Sequence, residues 1–91
     1  MTVTKQIELL NKYGMHVRPA GALAKVCQKY LSDVTVSHGG TTVSGKSVLG
    51  LMTLEAPVGA TLTVVADGDD AADAVAEIEE LVNNHFGLTD E

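Results

Sequence analysis

The chain has no tryptophan, one phenylalanine, two tyrosines and one cysteine among its 91 residues, and each scarcity excludes something. Without aromatic faces there is no platform on which single-stranded nucleic-acid bases stack, so that ligand class drops out. The one cysteine, Cys27, permits neither an intrachain disulfide nor a cysteine-built zinc site, which fits a reducing compartment. Basic residues are absent beyond Lys46. All six lie at or before it beside only Glu8 and Asp33, so the first half carries +4 and the remainder −10 of a net charge of −6. An acidic total repels a polyanion and argues against DNA, whereas a locally basic first half suits a phosphorylated group or an acidic partner. No apolar run approaches a membrane span in length, and Met1-Thr2-Val3-Thr4-Lys5 lacks the apolar core of a signal peptide. The expectation is a cytoplasmic protein without membrane insertion, folded as a single domain over residues 1–91.

What is present is periodic. From Val3 to Leu10, the residues Val3, Lys5, Ile7 and Leu9 share one parity, the pattern of a strand with one buried face. After the turn-rich Asn11-Lys12-Tyr13-Gly14, a helical stripe of Leu23, Val26, Cys27, Tyr30 and Leu31 predicts a helix running to about Tyr30. Pro19 belongs to its first turn, where a missing N–H costs nothing. The start stays open between two readings, one after Arg18 because proline disfavours helical dihedrals before it, the other at Val17 with His16 as cap. Val34 to His38 reads as a second strand, Gly39-Gly40 as a tight hairpin with positive φ, and Thr41 to Val43 as the return strand. Ser47 is placed to cap a short helix that Pro57 and Gly59 close off. Thr61 to Ala66 forms a fourth strand, with Leu62, Val64 and Ala66 pointing one way. A last helix, capped by Asp69 or Asp70, carries Ala71, Ala74, Val75, Ile78, Leu81, Val82 and Phe86 on its stripe and ends at Gly87, with Asp70 and Asp73 approximating a capping box. Alternating strands need one covered face and the two long amphipathic helices supply the cover. The fold class is therefore α+β, an open-faced sandwich with helices on one face of a mostly antiparallel four-stranded sheet.

The chemistry concentrates in Gly14-Met15-His16-Val17-Arg18-Pro19-Ala20-Gly21. A histidine imidazole is nucleophilic at neutral pH, and phosphorylation of a ring nitrogen gives a bond labile enough to pass the group on. Arg18 offers planar paired donors to phosphoryl oxygens, and the amides of a helix start add fixed dipoles that stabilise transferring charge. From spacing alone, a histidine that merely caps its helix beside a solvated arginine stands as the plainer alternative. His38 reads as a turn residue, His85 as a structural residue in the last turn of the final helix, and Cys27 as a buried thiol. No histidine pair has metal-ligand spacing, so neither metal nor cofactor is expected. Ser47 is sufficiently explained as a cap. Yet Val48, Leu49, Leu51 and Met52 put more apolar surface on a short helix than it can bury, which points to a docking patch. A phosphate on Ser47, with Lys46 beside it, would add charge to that patch without unfolding it.

Two motifs at matching separation carry a resemblance that covers essentially the whole chain. Gly14-Met15-His16-Val17-Arg18-Pro19-Ala20 closely resembles the active-site motif of the histidine-containing phosphocarrier (HPr) family of the bacterial phosphoenolpyruvate-dependent sugar phosphotransferase system. Gly45-Lys46-Ser47-Val48-Leu49-Gly50-Leu51-Met52-Thr53-Leu54 resembles that family's second signature, around a regulatory serine. The resemblance implies that His16 takes a phosphoryl group on Nδ1 from phosphorylated enzyme I and gives it to enzyme IIA domains, with Arg18 holding the group. It also implies Ser47 as the target of an HPr kinase/phosphorylase and a sheet order of 1-4-2-3 with three helices on one face. Val17, Gly21, Lys25, Val48, Leu49 and Met52, counted with Met15 and Lys46, form the implied partner-binding face of a monomer. The protein is then a stoichiometric carrier rather than an enzyme. Val17 and Gly21 depart from the alanine or threonine, and the alanine, that are commoner at these places. A nitrogen-branch regulatory carrier is the alternative role, and a non-phosphorylated interaction domain of the same architecture the second.

Overall fold

The computed structural model describes residues 1–89; the expected domain also takes in Asp90 and Glu91, which lie outside the described residues. The elements run β1 (Thr2–Glu8), α1 (Val17–Gln28), β2 (Asp33–His38), β3 (Thr41–Ser44), α2 (Val48–Met52), β4 (Thr61–Asp67) and α3 (Ala71–Asn83), followed by a short 3-10 segment at His85–Gly87. The four strands form one antiparallel sheet in the order β1-β4-β2-β3. Alternation sets its inner face: Ile7, Val34, Val36, Leu62, Val64 and Ala66 are buried, while Thr61, Thr63 and Val65 lie on the other side. Helix α1 lays Ala20, Leu23, Ala24 and Cys27 on that face, and α3 lays Ala71, Ala74, Val75, Ile78 and Val82 there. Three helices thus cover one face of an open-faced sandwich. The β2–β3 hairpin closes through Gly39 and Gly40 at φ +57° and +83°, the conformation that twist-matched two-residue turns require.

Four expectations from the pattern are corrected. Lys5 has core parity but is exposed, because β1 is an edge strand and the lysine stem carries its ammonium out to Glu79 at 3.4 Å. Helix α1 stops at Gln28, and Leu31 leaves the stripe altogether at 93% exposure. The cause is Asp70. It occupies the N-cap position of α3 without capping it, and its carboxylate instead accepts from the Leu31 N–H at 2.8 Å, the Ser32 N–H at 2.9 Å and the Ser32 hydroxyl. Those bonds turn the chain out of the helix and into β2, so the capping-box reading of Asp70 fails. At the other end, α3 finishes at Asn83, before His85 and Gly87. His85, Phe86 and Gly87 are left-handed at φ 54°, 56° and 74°, which swings the Phe86 ring into the core from outside the helix.

The bonds to Asp70, the Ser32 hydroxyl first, hold its carboxyl below the usual carboxylate range. A depressed acid contributes stability that is present above its ordinary pKa and lost as pH falls through the depressed value. Asp70→Ala is therefore expected to lower the melting temperature at neutral pH and to flatten its fall across the acid range. Parallel acid profiles of variant and wild type, followed by circular dichroism, would contradict this.

Candidate functional site

The loop between β1 and α1 is held at both ends before any functional side chain is considered. The Gly14 N–H donates to the Asn11 carbonyl at 3.1 Å, and the buried Asn11 amide returns a bond to the Gly14 carbonyl at 2.7 Å. The Met15 N–H donates to the Ala56 carbonyl at 2.8 Å, and Met15 itself is buried at 5% exposure. Gly14, at φ +66°, passes so close to the 56–57 backbone that a Cβ there would stand 2.3 Å from the Ala56 oxygen. On that frame α1 begins at Val17, with His16 as N-cap in extended conformation (φ −122°, ψ −167°). The first helical bond runs from the Ala20 N–H to the His16 carbonyl at 2.9 Å. This settles the start of the helix. Pro19, the third helical residue, falls among the positions whose N–H has no partner within the helix.

His16 caps by position only: its side chain makes no capping hydrogen bond to the helix. Half-buried, it stands with the amides of the first turn beside it, and Arg18 follows on the exposed side of that turn. Its ring meets that of Tyr13 edge-to-face, with centroids 6.2 Å apart and planes at 78°. The Lys12 ammonium lies over the Tyr13 ring, 5.3 Å from its centre. The sequence pattern marks Tyr13 only as a turn residue. The Asn-x-x-Gly turn was visible in the sequence, but the fall of Tyr13 against His16 follows from the loop's anchoring on residues 56–57, which no local signal reports.

Helix α2 packs against α1. Ser47 is its N-cap, and its hydroxyl accepts from the Gly50 N–H at 3.0 Å, as its residue type predicts. Leu51 points into the core while Leu49 and Met52, on the same outer side, are 77% and 38% exposed; Val17, next to His16, is 57% exposed. Val48 is half-buried against the core, Lys25 is exposed, and at Gly21 an added Cβ would meet no atom within 4 Å. Two members of the expected partner-binding set are placed differently. Met15 is a core anchor of the loop rather than a surface residue. The Lys46 ammonium donates to the Tyr30 carbonyl at 2.9 Å, and Gln28 donates to the Lys46 carbonyl at 2.9 Å, so Lys46 ties the α2 approach to the end of α1.

The two halves of opposite charge are mixed by folding. Lys5 and Lys29 pair with Glu79 and Glu77 of α3. Bonds from Lys29 and then Tyr30 hold the Glu77 carboxyl below its usual range, and that carboxylate in turn pushes the Tyr30 phenol up to about 12. Burial pushes the Cys27 thiol up to about 11, against a smaller pull from the Lys46 ammonium, so this thiol is a core group and a poor nucleophile. Among the described residues, no cluster of three or more His, Cys, Asp or Glu is arranged to hold a metal, and no helix is long and apolar enough to cross a membrane. One surface depression, of about 450 Å³, is lined by Ala76, Glu79, Glu80, Asn83 and Asn84 along α3, and another, of about 130 Å³, also excludes His16. Their size does not make them the site, because neither offers a nucleophile or a cation to an anionic group. The His16 neighbourhood is instead a surface with an apolar margin, a shape suited to a macromolecular partner.

Comparison with known proteins agrees with this geometry. A family model described as "PTS HPr component phosphorylation site" matches residues 3–84. The phosphocarrier protein HPr of Neisseria meningitidis serogroup A is 35% identical over 83 residues, covering 91% of this chain and 93% of that protein. A crystal structure of HPr from Thermoanaerobacter tengcongensis superposes with a TM-score of 0.90 at 31% identity, covering 94% of this chain and 97% of that one. An HPr dimer from the same organism has a TM-score of 0.76 at 33% identity, covering 90% and 94%.

Proposed function

The chain belongs to the HPr phosphocarrier family, and on that premise we propose that His16 accepts a phosphoryl group from phosphorylated enzyme I and passes it to enzyme IIA domains of the sugar phosphotransferase system. The observation that carries this reading is an imidazole at the N-cap of α1 that is not spent on capping and is bordered by exposed Val17. In the forward step the lone pair of the unprotonated ring nitrogen, Nδ1 in the family, attacks phosphorus. The bond from phosphorus to the donor's carrier atom breaks and leaves its electron pair on the donor. The other ring nitrogen keeps its proton, and the second step repeats the exchange with the acceptor as nucleophile. No electron transfer and no cofactor enter. First-turn amides and the Arg18 guanidinium stabilise the equatorial oxygens. The protein is chemically altered after each half-reaction, so it acts as a stoichiometric carrier, here read as a monomer although a dimer of a relative is known. Incubation with phosphoenolpyruvate and enzyme I should produce an acid-labile phosphate visible by phosphorus NMR; a spectrum without it would sink the carrier reading.

We assign Ser47 as a regulatory phosphorylation site within the same proposal. A phosphate there would add negative charge on the helix that presents Leu49 and Met52, weakening partners that dock on apolar surface. Ser47→Ala is expected to abolish the acid-stable phosphate made from ATP by an HPr kinase/phosphorylase. Independently, it costs about 1 kcal/mol of stability through loss of the cap. Persistence of the acid-stable label in the variant, seen by mass spectrometry, would place the site elsewhere.

A further inference from the structure

We propose that Tyr13 is a positioning residue for His16, holding the imidazole in the orientation from which it attacks; this rests on the carrier reading and specifies how its nucleophile is held. The backbone around both residues is fixed: Tyr13 lies in the Asn11–Gly14 turn, and His16 sits between the Met15–Ala56 bond and the first helical bond from Ala20. The backbone does not itself set the rotation of the imidazole about its two side-chain torsions; side-chain contacts do. The edge-to-face contact with Tyr13, 6.2 Å between ring centres at 78°, restricts that rotation. Tyr13 is 61% exposed, so its ring fills no core space that would otherwise account for its placement. The Lys12 ammonium over its ring adds a cation–π contact that holds the tyrosine itself. In-line displacement at phosphorus demands an aligned nitrogen, so an imidazole already turned to one orientation needs less ordering when the partner docks.

The test is single-turnover phosphorylation by phosphorylated enzyme I across a range of donor concentrations, for the wild type, Tyr13→Ala and Tyr13→Phe. Positioning predicts that Tyr13→Ala lowers the maximal rate about threefold to tenfold while the half-saturating concentration stays within about twofold, and that Tyr13→Phe recovers most of the rate. Proton NMR of the His16 ring should show a ring-current shift that Tyr13→Ala removes and Tyr13→Phe keeps. The inference is overturned by an unchanged rate in Tyr13→Ala, by a loss confined to half-saturation, which would make Tyr13 a docking contact only, or by a Tyr13→Phe variant as slow as the alanine one. A wild type that takes no phosphate would defeat the carrier reading instead, and the ring-current comparison would still decide whether Tyr13 orients His16.

Discussion

Replacing His16 with alanine is expected to remove the acid-labile phosphate to background while leaving the fold in place. The chemistry requires a nucleophilic nitrogen at this position, and methyl offers none. The fold does not require the imidazole, because the helix start is set by the Ala20–His16 backbone bond and the side chain makes no cap. Stability should therefore change by less than about 1 kcal/mol, within the range of ordinary substitutions away from the core. The measurement is phosphorus NMR after incubation with phosphoenolpyruvate and enzyme I, paired with a thermal melt. A variant that takes the label as well as the wild type would move the carrier atom to another histidine. The candidates would then be His38, at the end of β2, and His85, in the left-handed turn after α3. Neither stands at the N-terminus of an α-helix.

Gly14→Ala is expected to be the most damaging single-atom-scale change at the site. Two costs coincide: the residue is left-handed at φ +66°, which an L side chain resists by roughly 1–2 kcal/mol, and the new Cβ would overlap the Ala56 oxygen at 2.3 Å and the Pro57 backbone at 2.9 Å. Backbone cannot yield as a flexible side chain does, so relief means lifting the loop off residues 56–57 and breaking the Met15–Ala56 bond. Together these predict a loss of roughly 3 kcal/mol or more, and a melting temperature lower by more than about 10 °C for a domain of this size. Lifting the loop also displaces His16, so phosphoryl acceptance should slow even at temperatures where the variant remains folded. A melt and a rate indistinguishable from wild type would show that this close approach is not maintained in solution.

The division between what sequence reveals and what it hides follows range. Helix stripes, strand alternation, the Gly39-Gly40 hairpin and the Ser47 cap depend on neighbours within a few residues, and apart from Lys5, Leu31 and Phe86 each was legible. The two motifs around His16 and Ser47 were legible for the same reason, being contiguous runs whose family resemblance survives as sequence. Readings failed where a residue had a choice between a local and a distant partner. Asp70 was read as a local cap, yet its carboxylate serves Leu31 and Ser32, 39 and 38 positions away, and in doing so ends α1 early. The family resemblance puts Lys46 on the partner-binding face, yet its ammonium is spent on the Tyr30 carbonyl. Met15 adjoins the nucleophile in sequence but is drawn inward because Ala56 takes its N–H.

By itself the sequence determined the order of elements, the faces they bury, and the placing of a nucleophilic histidine at the head of a helix ahead of an apolar short helix. Periodicity and local capping depend on chain neighbours, which are given the moment the chain is written. The tertiary structure alone decided that α1 begins at Val17, that His16 caps by position without its side chain, and that Tyr13 lies against it. It also decided that the whole loop rests on the backbone of residues 56–57. Those outcomes depend on which distant groups meet when the sheet closes in the order β1-β4-β2-β3, because β1 lies beside β4 and brings the two loops together.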